Sequence, residues 1–217
     1  MADTKTVTKG RRMGLKDIHV ALVTTDTASD YVTATPVPLA RALSAKVTYK
    51  KTVDTLYADD AVDETVESFD SLQVEIDLAD LDPQQEALLK GATFNNGFIT
   101  ESEEDQSSLV ALGWRSKRTD GKYEFSWFYA GQFNEGSTDS YETKGDKVKT
   151  QNPTLTGNFR GRLKDKNWRT RVNEAYLQDN YTDAKTAIQD WFSKVQEEPT
   201  IVTGTTPTNR NTSVTPS

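Results

Sequence analysis

The chain of 217 residues has no cysteine, which excludes a disulfide framework, a thiol nucleophile and cysteine-ligated zinc or iron–sulfur centres. With one histidine, His19, a multi-histidine metal site is excluded, and any Ser-His-Asp triad would depend on that residue. No apolar run reaches the roughly 18 residues of a membrane-spanning helix. Met1 to Gly14 has no apolar core of the kind that marks a secretory leader, so the chain is expected to be intracellular when made. There is no G-x-S-x-G, P-loop, G-x-G-x-x-G or EF-hand loop. Apolar residues make up 35%, below the roughly 45–50% (a figure that also counts glycine) of a typical globular domain. Part of the chain is therefore expected outside the core. No cofactor or metal is implied.

The net charge of -7 conceals a strong asymmetry. From Asp54 to Asp82 there are eleven acids and no base, whereas from Lys144 to Arg171 nine bases face two acids. Such a pair of segments suits a head-to-tail interface between copies, and equally suits two solvated faces or pairing within one chain. Nucleic-acid binding fits less well, because the domain is acidic as a whole. Asp59-Asp60 and Asp63-Glu64 have a chemistry suited to Ca²⁺ or acid–base work, but without the ligand spacing of a known loop.

Alternation supplies the strands. Ile18, Val20 and Leu22 alternate with His19 and Ala21, and Ala45, Val47 and Tyr49 with Lys46 and Thr48. The cleanest pattern is Leu72, Val74, Ile76 and Leu78 against Gln73, Glu75, Asp77 and Ala79, one apolar face and one acidic face. Ser108–Lys117 and Lys122–Gly131 flank an Asp-Gly turn and carry Trp114 and Trp127, which marks a core hairpin. Leu155–Leu163 and Trp168–Val172 read as a second, basic hairpin. Asp82-Pro83 starts a short helix that Gly91 stops, read as a lid. Thr182 or Asp183 caps an amphipathic helix carrying Trp191, Phe192 and Val195. Residues 58–70 and 132–152 read as long loops, 1–13 as a mobile arm, 14–197 as the domain and 198–217 as a disordered Thr/Ser/Pro-rich tail. The sum is about seven mostly antiparallel strands and two helices: a β-rich α+β domain, a β-sandwich or curled sheet flanked by a C-terminal helix. His19 reads as a structural or interface residue. Catalysis is poorly supported, so no enzyme is expected.

Four stretches carry a resemblance: Gly14-Leu-Lys-Asp-Ile18, Leu56-Tyr-Ala-Asp-Asp60 followed by Asp63-Glu64, Leu78-Ala-Asp-Leu81, and Trp191-Phe192 in the closing helix. Over about residues 14–196 the chain resembles the major tail protein (tail tube protein) family of long, non-contractile-tailed bacteriophages of Gram-positive hosts. The resemblance implies a virion protein, made in the host cytoplasm, whose copies form hexameric rings stacked into the tail tube. Strands of six subunits would join in a closed β-barrel, and the long loops would reach the next ring. Its partners would be itself, the tape-measure protein, the tail terminator and distal tail proteins, with double-stranded DNA passing through transiently and no membrane. On this reading Gln73, Glu75 and Asp77 face a negatively lined lumen that repels phosphates. The acids Asp59, Asp60, Asp63, Glu64 and Glu67 would meet Arg160, Arg162, Lys164, Lys166, Arg169 and Arg171 of a neighbouring copy. Alternatives are a tail terminator or neck protein of the same fold, or a carbohydrate-binding surface module.

Overall fold

A computed structural model describes residues 10–58, 61–134, 137–138 and 152–199, with backbone alone at 54, 56–58, 61–64, 66 and 137–138. The described elements run β1 (Arg12–Asp26), β2 (Tyr31–Thr33), β3 (Val37–Pro38), β4 (Ala42–Ala58), β5 (Ala61–Leu78), α1 (Pro83–Lys90), β6 (Thr93–Asn95) and β7 (Phe98–Thr100). They continue with β8 (Val110–Arg118), β9 (Tyr123–Gln132), β10 (Ser137–Thr138), β11 (Thr154–Arg160), β12 (Arg169–Asn173), a 3-10 turn (Glu174–Tyr176) and α2 (Thr182–Gln189). Ten strands form one sheet in the order β2-β1-β8-β9-β11-β5-β4, with β3 on β1, β10 on β11 and β12 on β9. Every pairing is antiparallel, and β6–β7 is a separate hairpin.

The sheet is curled around an inner core. Ile18 and Val20 of β1, Leu72 to Leu78 of β5, Leu112 and Trp114 of β8, Phe128 of β9 and Phe159 of β11 meet in one buried cluster. Strands at opposite ends of the order share this cluster, so the sheet wraps on itself in the manner of a sandwich. A second cluster lies on the outer side of β1, β8 and β9: Ala21, Ala111, Phe125, Trp127 and Tyr129, under Trp191 and Val195. Strand β9 serves both because successive residues point to opposite faces: Phe125, Trp127 and Tyr129 outward, Phe128 inward. Between Phe128 and Gly131 the register against β8 gains one residue on β9, which switches the alternation and brings Phe133 to the inner side. The Trp127 ring lies where a Cβ on Gly113, its cross-strand partner, would stand 2.5 Å from it, so only glycine fits.

Within the span read as a loop, residues 58 and 61–70 are strand; 59 and 60 lie outside the described residues. Strands β4 and β5 stay paired from Ala42↔Leu78 out to Ala58↔Ala61, a long two-stranded arm. The segment has no apolar period because its described side chains beyond Lys50 are mostly solvated; cross-strand hydrogen bonding requires no buried face. Pairing of β1 with β8 begins at Arg12, inside the span read as a mobile arm. Residues 1–9 and 200–217, which hold most of that arm and the tail, lie outside the described residues, as does most of 132–152. Strand β12 pairs with β9 and not with β11, because the aromatic β9 has an open edge beyond its three pairs with β11.

Helix α1 starts where the sequence places it. The Asp82 carboxylate accepts from the Gln84 and Gln85 amides, Pro83 sits in the first turn, and Gly91 takes the left-handed conformation at φ 79°. It is a core element and not a lid, since Leu89 is fully buried in the inner cluster. Helix α2 has Tyr181 at its N-cap with no side-chain cap and ends at Gln189. Trp191, Phe192 and Val195 follow in a turn and an extended segment that packs on the outer cluster. Trp127 Nε1–H donates to the Trp191 carbonyl at 3.1 Å, and Tyr129 Oη–H to the Gln196 carbonyl at 3.1 Å, fixing that segment to β9.

Candidate functional site

The strongest unexplained surface is the outer face of β11, β5 and β4. Cross-strand register places Thr154, Asp77 and Ser44 in one row, Thr156, Glu75 and Lys46 in the next, and Asn158, Gln73 and Thr48 in a third. The strands alternate because their other side fills the inner core, so every second residue emerges polar. Asp77 accepts from the Thr154 hydroxyl at 2.7 Å and from Ser44; those hydrogen bonds hold its carboxyl below the usual range. Glu75 lies 3.6 Å from Lys46, both side chains well exposed. The sequence-predicted lumen residues Gln73, Glu75 and Asp77 thus share one half-buried face. That face is not uniformly acidic, as β5 read alone suggested. Its neighbour β4 contributes Lys46 and, opposite Ser71, Lys50, which offset Glu75 and Asp77.

The acidic candidates are spread along the arm. Asp59 and Asp60 lie outside the described residues; Asp63 and Glu64 sit in the β5 backbone near the arm's end. Glu67 is exposed and pairs with Lys51 at 2.9 Å, a contact that lowers its pKa first through the hydrogen bond and then through charge.

The basic candidates do not form one patch. Arg162 is 3% exposed, packed over the Tyr129 ring at 4.2 Å and the Tyr31 ring at 5.0 Å. Its guanidinium donates to Asp165 at 2.8 Å and meets Glu197 at 2.7 Å. Burial opposes the Arg162 charge, yet these carboxylates hold it firmly protonated. The hydrogen bond from Arg162 pulls Asp165 down to about 2. Desolvation pushes Tyr129 up to about 12, and Tyr31, buried beside it, is raised further. Arg160 pairs with Asp26 at 2.9 Å, and Lys164 joins Glu197 at 3.2 Å. Lys166 occupies the turn with φ 61° and is exposed. Arg169 donates to the Tyr49 hydroxyl at 2.8 Å, and Arg171 lies 3.5 Å from Glu124. Five of the six thus have partners inside their own chain.

His19 stacks on Phe192 at 4.2 Å, and its Nδ1 lies 3.0 Å from the Asp17 carbonyl, a packing role. Among the described residues no group of His, Asp and Glu is arranged to hold a metal ion, and no helix is long and apolar enough to cross a membrane. Comparison with protein-family models and with curated proteins finds no match for this chain.

Sequence reasoning missed the β6–β7 hairpin. Its signal was available: Asn96-Gly97 between Thr-Phe-Asn and Phe-Ile-Thr, the strongest short-range hairpin pattern.

Proposed function

We propose that this chain is a structural subunit that assembles with copies of itself into stacked hexameric rings, the tail tube of a long, non-contractile-tailed bacteriophage. The observation that carries the reading is the long edge strand β4: seventeen residues of it stand at the end of the sheet order, with no strand on its outer side among the described residues. A long open edge in a monomer invites pairing with another chain, and closure of several sheets into a barrel removes it. The edge adjoins the polar rows, so a barrel closed through β4 and β5 would line a water-filled bore with hydroxyls, amides and opposed charges. Within such a bore Glu75 offsets Lys46, so a passing DNA phosphate finds no unbalanced cation in that row. The paired arm, from Lys51↔Phe69 to Ala58↔Ala61, would project to a neighbouring subunit. The tape-measure protein would occupy the bore during assembly, and terminator and distal tail proteins would close the ends. No enzymatic step belongs to this reading.

Negative-stain electron microscopy of the concentrated full chain tests it. Rings or tubes with a central channel are the expected result. A monodisperse monomer, both alone and with tape-measure protein added, would overturn the reading.

A further inference from the structure

Two further features of the surface are complementary. The first is the tip of the β6–β7 hairpin. Its turn residues Asn96 and Gly97 have φ of 49° and 86°, the two-residue turn that matches strand twist. Beside it Phe98 is 75% exposed, more than any other large hydrophobic residue described. Single exposed apolar residues are ordinary; this one stands beside a hairpin turn and is followed by Glu101, Glu103, Glu104 and Asp105. Glu101 is held by Lys90 at 3.1 Å, while Glu103 and Glu104 are exposed.

The second feature is a cleft of about 500 Å³ between β1 and β4, where the curled sheet approaches itself without pairing. Leu15, Val47, Trp114 and Phe128 give it an apolar lining, with Arg12 and Arg169 among its polar residues. Glu124, also in the cleft, is met by Arg12 at 2.6 Å and Arg171 at 3.5 Å, so its charge is outweighed. Arg169 lies 4.6 Å over the Trp168 ring and meets no carboxylate among the described residues.

We infer that Phe98 of one copy docks in this cleft of a second copy, with the acids that follow it set against Arg12 and Arg169. An aromatic ring entering a cleft of mixed apolar and polar lining with excess positive charge, with acids beside it, has the composition of an interface hot spot. Because knob and cleft stand at different places on the chain, the contact can repeat head-to-tail from copy to copy, the arrangement a ring or a filament uses. The inference rests on the self-assembly reading above and assigns it a contact.

The test places a photo-reactive benzoylphenylalanine at position 98 of the full chain and maps the cross-linked dimer by mass spectrometry. Adducts on the second copy at Leu15, Tyr49 or Trp114 are expected. Phe98→Ala should raise the self-association Kd by about tenfold or more without changing Tm. Arg169→Glu should weaken association, and the added pair Glu103→Lys and Glu104→Lys should restore it. Adducts elsewhere, or Phe98→Ala associating like the unaltered chain, would overturn the docking while leaving self-assembly standing. An unaltered chain that never associates, alone or with tape-measure protein, would overturn both.

Discussion

Across β1, β8 and β9 the outer face of the sheet carries Ala21, Ala111, Phe125, Trp127 and Tyr129, and the C-terminal segment covers it with Trp191 and Val195. Across β11, β5 and β4 the same face carries Thr154, Thr156, Gln73, Glu75, Asp77 and Lys46, and no hydrophobic cluster among the described residues covers it. Both halves back onto one inner core, so the fold does not by itself demand the difference. The covered half explains its own residues: the C-terminal segment needs an apolar seat, and Arg162 reaches under it to Glu197. The open half has hydrogen-bonded hydroxyls and paired charges, which suit permanent contact with water. A single sheet is thus apolar where its own chain returns to it and polar where something wet must face it.

The largest effect that sharpens this contrast belongs to the covered half. Trp191→Ala should cost about 3–5 kcal/mol in denaturant unfolding, because a fully buried aromatic leaves a cavity and loosens the segment it anchors. A loss under about 1 kcal/mol would mean that the C-terminal segment is not held there. Arg162→Ala should cost about 2 kcal/mol, less than a fully buried pair, since Asp165 and Glu197 are each about one-third exposed and water can solvate them. Arg162→Lys should recover little, because an ammonium cannot make the two-pronged contact with Asp165.

Acid titration follows from the same pair. The Asp165 pKa falls from 3.8 to about 2 on folding, so its contribution is fully present above about pH 4 and is lost as pH falls through about 2. After allowance for solvent screening that contribution is about 1 kcal/mol. Stability measured against pH should show this component in the unaltered chain and lose it in Arg162→Ala. The smallest effects belong to the open half. Glu75→Gln and Thr156→Val should each change monomer stability by no more than about 0.5 kcal/mol. A loss of about 2 kcal/mol at either position would make the polar rows a structural network and remove the contrast.

The sequence reading reached the parts of the fold that carry local signals. The Leu72–Leu78 alternation, the Asp120-Gly121 turn between β8 and β9, and the Asp82, Pro83 and Gly91 signals of α1 all correspond to observed elements. It missed the arm because the described side chains beyond Lys50 are mostly exposed and leave no apolar period to detect, although the β-branched content of Val62, Thr65 and Val66 favoured a strand. The charge balance of the polar face was invisible because Lys46 meets Glu75 only through the β4–β5 register. The burial of Arg162 was hidden for the same reason. It depends on Tyr31, Tyr129 and Glu197, which the chain brings together from three distant places. Long-range pairing, more than local propensity, decides which charges of a sheet protein are free.

The absence of cysteine makes one measurement especially direct, because Thr156→Cys places a single thiol on the polar rows. Labelling with a small maleimide and with a maleimide on a bulky polymer, before and after assembly, tests whether that face lines a bore. The account predicts that both reagents label the dispersed chain, and that after assembly only the small one still does. Equal labelling of the assembled form by the bulky reagent would place the polar rows on an outer surface and contradict the account.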